Sequence, residues 1–337
     1  MKLIEIKLPD YKIINVISTL SQVNGWGIKQ LNVPNTWKIT KGENIRIMVL
    51  DTGTLFHIDL IDGIEKDLCK SFIDTEPEIE DKNFHGGHVM GIIGARNNST
   101  GMVGVAPESR LIGVKVLNKD GTGTFESIIK GLKYAIEIKP DIVSMSLGTS
   151  IYNVEIHNLI KELYNLNIPV VCAAGNDGLD NSVNYPAKFP ETIAVGAYDE
   201  NGQLANFSSK GKELDFVAPG VNIYSTWENN QYAYLQGTSQ ATPFISGVIA
   251  LLLAKHRKQE LKTGENDCKT VEQIKEHLIK YTTDKGIIGK DDKWGYGIVD
   301  VEKLILEYSM PYFDKPIKKP KTSYTLWEKI KIFLGWA

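Results

Sequence analysis

Five short runs rich in β-branched and other apolar residues recur along the chain, at 45–50, 110–117, 141–146, 169–173 and 192–197. Patterns of helical period lie between them, at 88–95, 125–138 and 154–165. A strand covered on both faces reads as a continuous apolar run, and parallel neighbours need a crossover about as long as a helix. The alternation therefore predicts an α/β protein with a mostly parallel central sheet, its two faces flanked by helices. In such sheets functional residues gather at the carboxyl ends of the strands. Asp51 ends one run, in Val49-Leu50-Asp51-Thr52-Gly53, and Asn176 follows another, in Ala173-Ala174-Gly175-Asn176.

Composition narrows the function. The 337 residues suffice for one large domain or two small ones, and 42% hydrophobic with 23% charged residues is ordinary for a globular protein with a sizeable core. A net charge of −3 gives no reason to expect nucleic acid as a partner. Cys69, Cys172 and Cys268 have neither disulfide-framework nor metal-ligand spacing, and as free thiols they suit a reducing compartment. The first residues, MKLIEIKLPDY, contain no signal-peptide core, and no stretch reaches the ~20 apolar residues of a membrane span. A cytoplasmic location is the expectation, with non-classical export as the alternative. Beyond residue 310, Pro311, Pro316 and Pro320 with Lys315, Lys318, Lys319 and Lys321 mark a tail at 310–337. Its end, 327–336, has the pattern of a short amphipathic helix, expected to pack on its own domain rather than anchor elsewhere.

Three separated segments each offer one member of a nucleophilic triad. Ser239 lies in Gly237-Thr238-Ser239-Gln240-Ala241-Thr242-Pro243, ahead of a strongly helical run at 244–256. A serine there stands at the positive end of a helix dipole, beside unpaired backbone N–H groups able to hold an oxyanion. Its hydroxyl needs a base. His85, in Asn83-Phe84-His85-Gly86-Gly87-His88-Val89, is the candidate, and Asp51 is the carboxylate that would orient it. Asn176 offers an amide N–H to the oxyanion. Each piece alone is weak; the chain order Asp, His, Ser raises the specificity.

With these residues in place, the sequence resembles the subtilases from about Gln22 to Leu306. Further matching segments are Val103-Gly104-Val105-Ala106-Pro107, Val114-Lys115-Val116-Leu117, Ser144-Met145-Ser146-Leu147-Gly148 and Phe216-Val217-Ala218-Pro219-Gly220. The missing signal peptide and short N-terminal extension look most like the intracellular subtilisins. The resemblance implies a three-layer subtilisin-like fold over 21–309 and a serine endopeptidase acting through an acyl-enzyme on extended polypeptides. It implies that substrate adds as a strand between Gly121-Thr122-Gly123 and Ser146-Leu147-Gly148. The first specificity pocket would be walled by Ser146–Gly148 with Gly175, Asn176 and Asp177. Asn184, where subtilisins often carry glycine, would make it shallower and more polar. A second, apolar pocket would use Phe125, Ile128 and Leu147. The resemblance also implies a structural Ca²⁺, held by side chains of Gln22, Asp59 and Asn98 and carbonyls of Arg96, Thr100 and Met102. Homodimers are common in the resembling group, although no segment here identifies an interface.

Residues 1–20 are too short for a folding-chaperone domain. Lys7-Leu8-Pro9-Asp10-Tyr11 resembles the inhibitory leader of intracellular subtilisins, so the leader is expected to cover the cleft until clipped; the alternative is an ordinary N-terminal strand. Departures from the family pattern are Gly87 for a usual threonine, Ile92 after Gly91, Gln240 for a methionine after the nucleophile, and Phe244 for a histidine. His88 is expected to be structural, His57 to order a loop, and His157, His256 and His277 to be solvated or packed. Two other functions stay open: a processing protease for one partner, or a binding scaffold that no longer cuts.

Overall fold

The computed structural model describes residues 5–9, 11–17 and 21–306; the tail at 310–337 expected from the sequence lies outside these residues, as does Asp10 of the leader motif. In chain order the elements are β1 (Glu5–Lys7), β2 (Lys12–Ile17), α1 (Trp26–Gln30), α2 (Val33–Thr36), β3 (Arg46–Asp51), β4 (Lys70–Ser71), α3 (His85–Gly94), β5 (Arg110–Lys115), β6 (Thr122–Thr124) and α4 (Phe125–Ile138). They continue with β7 (Ile142–Met145), α5 (Val154–Asn165), β8 (Val170–Ala173), β9 (Ile193–Tyr198), β10 (Phe216–Pro219), β11 (Ile223–Thr226) and β12 (Tyr232–Gln236). The last are α6 (Thr238–Thr263), α7 (Val271–Lys280), β13 (Thr282–Thr283), β14 (Ile298–Val299) and α8 (Val301–Leu306).

Seven strands form the central sheet in the order β10-β9-β8-β7-β3-β5-β4, and every pairing is parallel. Both faces are covered, which is why the strands read as unbroken apolar runs. Along β3, Ile47 and Val49 join the core cluster that holds Val89 and Ile93 of α3 and Val248 and Ile249 of α6. Met48 and Leu50 point the other way, into the cluster with Leu132 of α4 and Ile160 of α5. This alternation is the period-2 side-chain rule. Helices α4 and α5 fall on the expected residues, each capped by a side chain: Thr124 in a capping box with Ser127, and Asn153 accepting from the Ile156 N–H.

From β3 the chain runs out to one side of the sheet through β4 and β5, then returns to build β7 to β10 on the other. β3 is therefore the switch strand, and its carboxyl end, Asp51, borders the crevice where such sheets bind ligands. Helix α3 begins at His85, three residues earlier than the periodicity marked, because the glycine pair 86–87 hid its first turn. Helix α6 is buried from Thr238 to His256, on all sides. Pro243 is its sixth residue rather than part of a first turn. The Ser239 carbonyl, which a residue 243 N–H would ordinarily reach, instead accepts the Ser146 hydroxyl at 2.9 Å.

Candidate active site

The end of β3 and the start of α3 bring Asp51 and His85 together, and the start of α6 sets Ser239 against Ser146 and Thr238 against Asn176. His85 Nδ1 lies 2.8 Å from Asp51 Oδ1, and both side chains are fully buried. The Thr52 N–H donates to the same Asp51 oxygen at 2.8 Å. The opening turn of α3 is fixed by two side chains. Thr52 Oγ1 accepts the Gly86 N–H at 2.9 Å, and Asp81 accepts the N–H groups of Asn83, Phe84 and Gly87 at 2.8–3.0 Å. Burial pushes the Asp81 carboxyl up from its ordinary range, and these N–H and hydroxyl donors pull it back. Gly87, one of the departures noted above, is explained by packing. A Cβ there would stand 2.4 Å from the Leu55 side chain, which fills the space a threonine would need.

Ser239 is the second residue of α6, among the helix N–H groups that lack an intrahelical acceptor. Its hydroxyl donates to the Ser146 carbonyl at 3.2 Å, so serine and Ser146 exchange two hydrogen bonds. His85 Nε2 has no hydrogen-bond partner among the described residues. The His85 ring instead faces the Tyr11 ring, with centroids 5.0 Å apart. Asn176 Oδ1 accepts both the Thr238 N–H (2.9 Å) and the Thr238 hydroxyl (2.8 Å). With its oxygen so occupied, the amide turns its Nδ2 toward Gly237, where a Cβ would stand only 3.0 Å away. The adjacent Gln240 amide is buried.

His88 sits one turn after His85 and is fully buried, its Nε2 3.1 Å from the carbonyls of both Ile223 and Ala233. Burial pushes its pKa down to about 3, so it is a neutral structural donor, as expected. His57 orders its loop, with Nε2 on the Gln231 carbonyl and Nδ1 accepting the Asp59 N–H.

The two backbone edges marked by the sequence face each other, and a strand already lies between them. β1 pairs antiparallel with β6, with Ile6 opposite Gly123 and Lys7 opposite Thr122, and Lys7 also bridges Gly148 on the far side. The Leu8 N–H reaches the Gly121 carbonyl at 3.0 Å, and the Gly148 N–H reaches the Lys7 carbonyl at 3.3 Å. Ile6 is buried beside Phe125, Ile128 and Leu147, filling the apolar pocket predicted from those residues. The polar pocket is different. Gly148, Asn176, Asp177 and Asn184 line a cavity of about 490 Å³ with Pro9 at its edge. Asn184 Nδ2 donates to Asp177 at 3.2 Å and lies where a Cβ on Gly175 (φ +112°) would be, so the pocket is polar where expected. After Tyr11, whose hydroxyl donates to Asn83 at 3.1 Å, β2 pairs antiparallel with β12, the strand leading into Ser239.

The residues marked for a cation also converge. Asp59 is fully buried; its carboxylate accepts from Asn98 Nδ2, the Met102 N–H and the Tyr232 hydroxyl, each at 2.9 Å. The Gln22 amide lies 3.1 Å from the Arg96 carbonyl and 3.5 Å from that of Met102. Thr100 is tied through its N–H and hydroxyl to Asn98 Oδ1. The Arg96 guanidinium is turned away to the carbonyls of Pro107 and Ser109, leaving only its backbone oxygen toward Gln22. The donor set, one buried carboxylate with backbone carbonyls and two amides, suits a hard cation once the Gln22 and Asn98 amides turn their oxygens inward, since here Asn98 Nδ2 donates to Asp59 and Gln22 Nε2 to the Arg96 and Met102 carbonyls.

Sequence reasoning missed Asp81, Thr52 and Thr238, which touch none of the predicted chemistry but hold the residues that do. Asp81 lies three residues ahead of the α3 N-cap, Phe84, outside the positions where a capping residue would be sought, so local pattern did not mark it.

Against known families, the model described as "Subtilase family" matches residues 42–297. The chain is 36% identical over 313 residues to the Minor extracellular protease Epr of Bacillus subtilis (strain 168), covering 92% of this chain and 46% of that protein. It is 39% identical over 297 residues to the Thermostable alkaline protease of Halalkalibacterium halodurans, covering 87% and 77% respectively. Against Subtilisin DY of Bacillus licheniformis the identity is 37% over 268 residues, covering 78% and 91%.

Proposed function

The chain belongs to the subtilase family, a family of serine-type endopeptidases, and we propose that it cuts extended polypeptides through Asp51, His85 and Ser239. The single observation that carries this reading is the buried 2.8 Å contact between His85 Nδ1 and Asp51 at the carboxyl end of β3. In the proposed reaction His85 Nε2 takes the Ser239 proton as the hydroxyl attacks the scissile carbonyl. Asp51 fixes the ring tautomer and stabilises the imidazolium. Asn176 Nδ2 and the Ser239 N–H receive the oxyanion. His85 then protonates the leaving amine, and water reverses the steps to release the acyl group. For this to start, the Ser239 hydroxyl must rotate from the Ser146 carbonyl to His85 Nε2, a bond that tightens once substrate is seated.

We further read residues 1–20 as an inhibitory leader. It supports this reading that β1 takes the place between Gly121–Gly123 and Ser146–Gly148 assigned above to substrate, with Ile6 in the apolar pocket and Tyr11 against His85. The Gln22, Asp59, Asn98, Arg96, Thr100 and Met102 oxygens would hold Ca²⁺, which would tie the segment after the leader to the loop after α3. The cytoplasmic setting expected from Cys69, Cys172 and Cys268 belongs to the same reading; all three are free thiols.

The test is mass spectrometry of the purified chain and its Ser239→Ala variant, each incubated with unfolded casein and calcium. Turnover should fall on the order of a million-fold in the variant, a magnitude carried over from subtilisin. Near-normal cutting by Ser239→Ala would overturn the triad. Silence from both proteins, with the leader removed, would bring the non-cutting scaffold forward.

A further inference from the structure

Remote from the cleft, the far end of α6 and the elements after it bring three metal-ligating side chains together. His256 lies on α6, His277 on α7, and Asp267 on the loop that joins the two helices. His256 Nδ1 is 2.9 Å from Asp267 Oδ1, and His277 Nε2 is 3.7 Å from the same oxygen. One donor atom from each residue falls within 4.8 Å of the other two. Around a single tetrahedral ion with bonds of about 2.0–2.2 Å, donor atoms sit roughly 3.5 Å apart, so small side-chain rotations close the set. The imidazoles converge rather than stack, with centroids 5.1 Å apart and planes tilted by 44°.

The donor types select the metal. Two imidazoles and one carboxylate suit a borderline divalent ion such as Zn²⁺, whereas Ca²⁺ and Mg²⁺ favour all-oxygen shells. The neighbouring Lys255 ammonium is directed to the Leu304 carbonyl at 3.2 Å. Asp267 is half exposed while both histidines are buried or nearly so, so solvent reaches the cluster on the carboxylate side and water can complete a four-coordinate shell. His277 Nε2 is also 3.2 Å from the Asp267 carbonyl; coordination replaces that contact and moves the ring proton to Nδ1.

We propose that His256, Asp267 and His277 form a zinc-binding site that clamps the end of α6 to α7. Ser239 and His256 are seventeen residues apart on one helix, or about 25 Å, so the site is structural and separate from the proteolytic chemistry.

The test uses the full chain carrying Ser239→Ala to prevent self-digestion, with excess Ca²⁺ present, titrated with Co²⁺ and then Zn²⁺. One equivalent of Co²⁺ should give the intense visible absorption of a tetrahedral site. Zn²⁺ should displace it and raise the unfolding temperature, while Mg²⁺ does neither. Asp267→Asn and His277→Gln should each weaken binding by more than about 100-fold, since even partners one layer beyond a ligand cost about 10–100-fold. Cys268→Ser should leave affinity unchanged. Absence of the tetrahedral band in the unaltered cluster overturns the proposal, however the variants fold. Persistence of the band in both variants overturns it too, as does its loss in Cys268→Ser.

Discussion

The cleft is built from two regions of opposite character. Its floor, formed by the end of β3 and the first turns of α3 and α6, is fully buried, and backbone N–H groups fix Asp51, Thr52, Asp81 and Asn176 there, while Asp51 Oδ2, His85 Nε2 and the Gln240 amide have no partner among the described residues. Of the N-terminal strands that lie over it, β1 makes main-chain bonds on both sides, whereas β2 pairs only with β12 and leaves Ile13, Ile14 and Val16 40–47% exposed. The floor is rigid because many independent contacts fix it, and losing any one leaves a buried polar group stranded. The cover depends on edge-to-edge registers with β6 and β12 and on two buried side chains, Ile6 and Leu8.

The largest expected effect lies in the floor. Asn176→Ala should lower kcat by about 10²–10³-fold with little change in KM, a magnitude known from the equivalent donor in subtilisin. A change in KM alone would show that the amide serves binding. Next is the seam between floor and cover. Saturating Ca²⁺ at about 100 times its Kd should stabilise the chain by about 2.7 kcal/mol, and Asp59→Asn should abolish that gain in denaturant melts. A melt insensitive to Ca²⁺ in the parent chain removes the cation from the loop around Asp59.

The cover should yield the next effect. Removing residues 1–20 should raise hydrolysis of a short peptide by more than about tenfold, or about 1.4 kcal/mol, and Tyr11→Ala by less. Unchanged activity after truncation would make β1 an ordinary strand and erase the contrast drawn above. The last effect is acid sensitivity of the buried histidines. Burial lowers the pKa of His88 to about 3 and depresses that of His57, so the unfolded chain binds protons below its usual histidine pKa that the folded chain refuses. Stability should therefore fall as pH drops from about 6.5, by up to about 1.4 kcal/mol per unit for each group. The raised Asp81 carboxyl opposes this only nearer its own carboxylate range. Denaturant midpoints for Ser239→Ala that stay flat from pH 6.5 to 4.5 would contradict the neutral, buried histidines.

The sheet and the helices α4 and α5 were legible because apolar period and capping residues are local signals. The extent of α3 was not, since the glycines 86–87 carry no apolar pattern and their reasons lie elsewhere in the chain, the Gly53 carbonyl against Gly86 and the Leu55 side chain against Gly87. The polar residues that do chemistry stood out by type and order. Those that hold them, Asp81, Thr52 and Thr238, act through backbone N–H groups and rotamers and leave no pattern in the sequence. The pairing of β1 with β6 was foreshadowed only by the motif around Pro9, because a register between distant edges is not written in either strand alone.

The tether on β1 has a kinetic consequence of its own. If β1 is the inhibitory leader proposed above, its tether to the domain makes it compete for the cleft at an effective concentration of the order of millimolar, whatever its intrinsic affinity. The contacts of Ile6 and Tyr11 can then be individually weak and still exclude dilute substrate. A single break between Tyr11 and Gln22 would convert the same peptide into a separate molecule, whose occupancy falls with dilution. Activation would then be set by the volume into which the fragment escapes, and a crowded, high-concentration preparation would switch on more slowly than a dilute one.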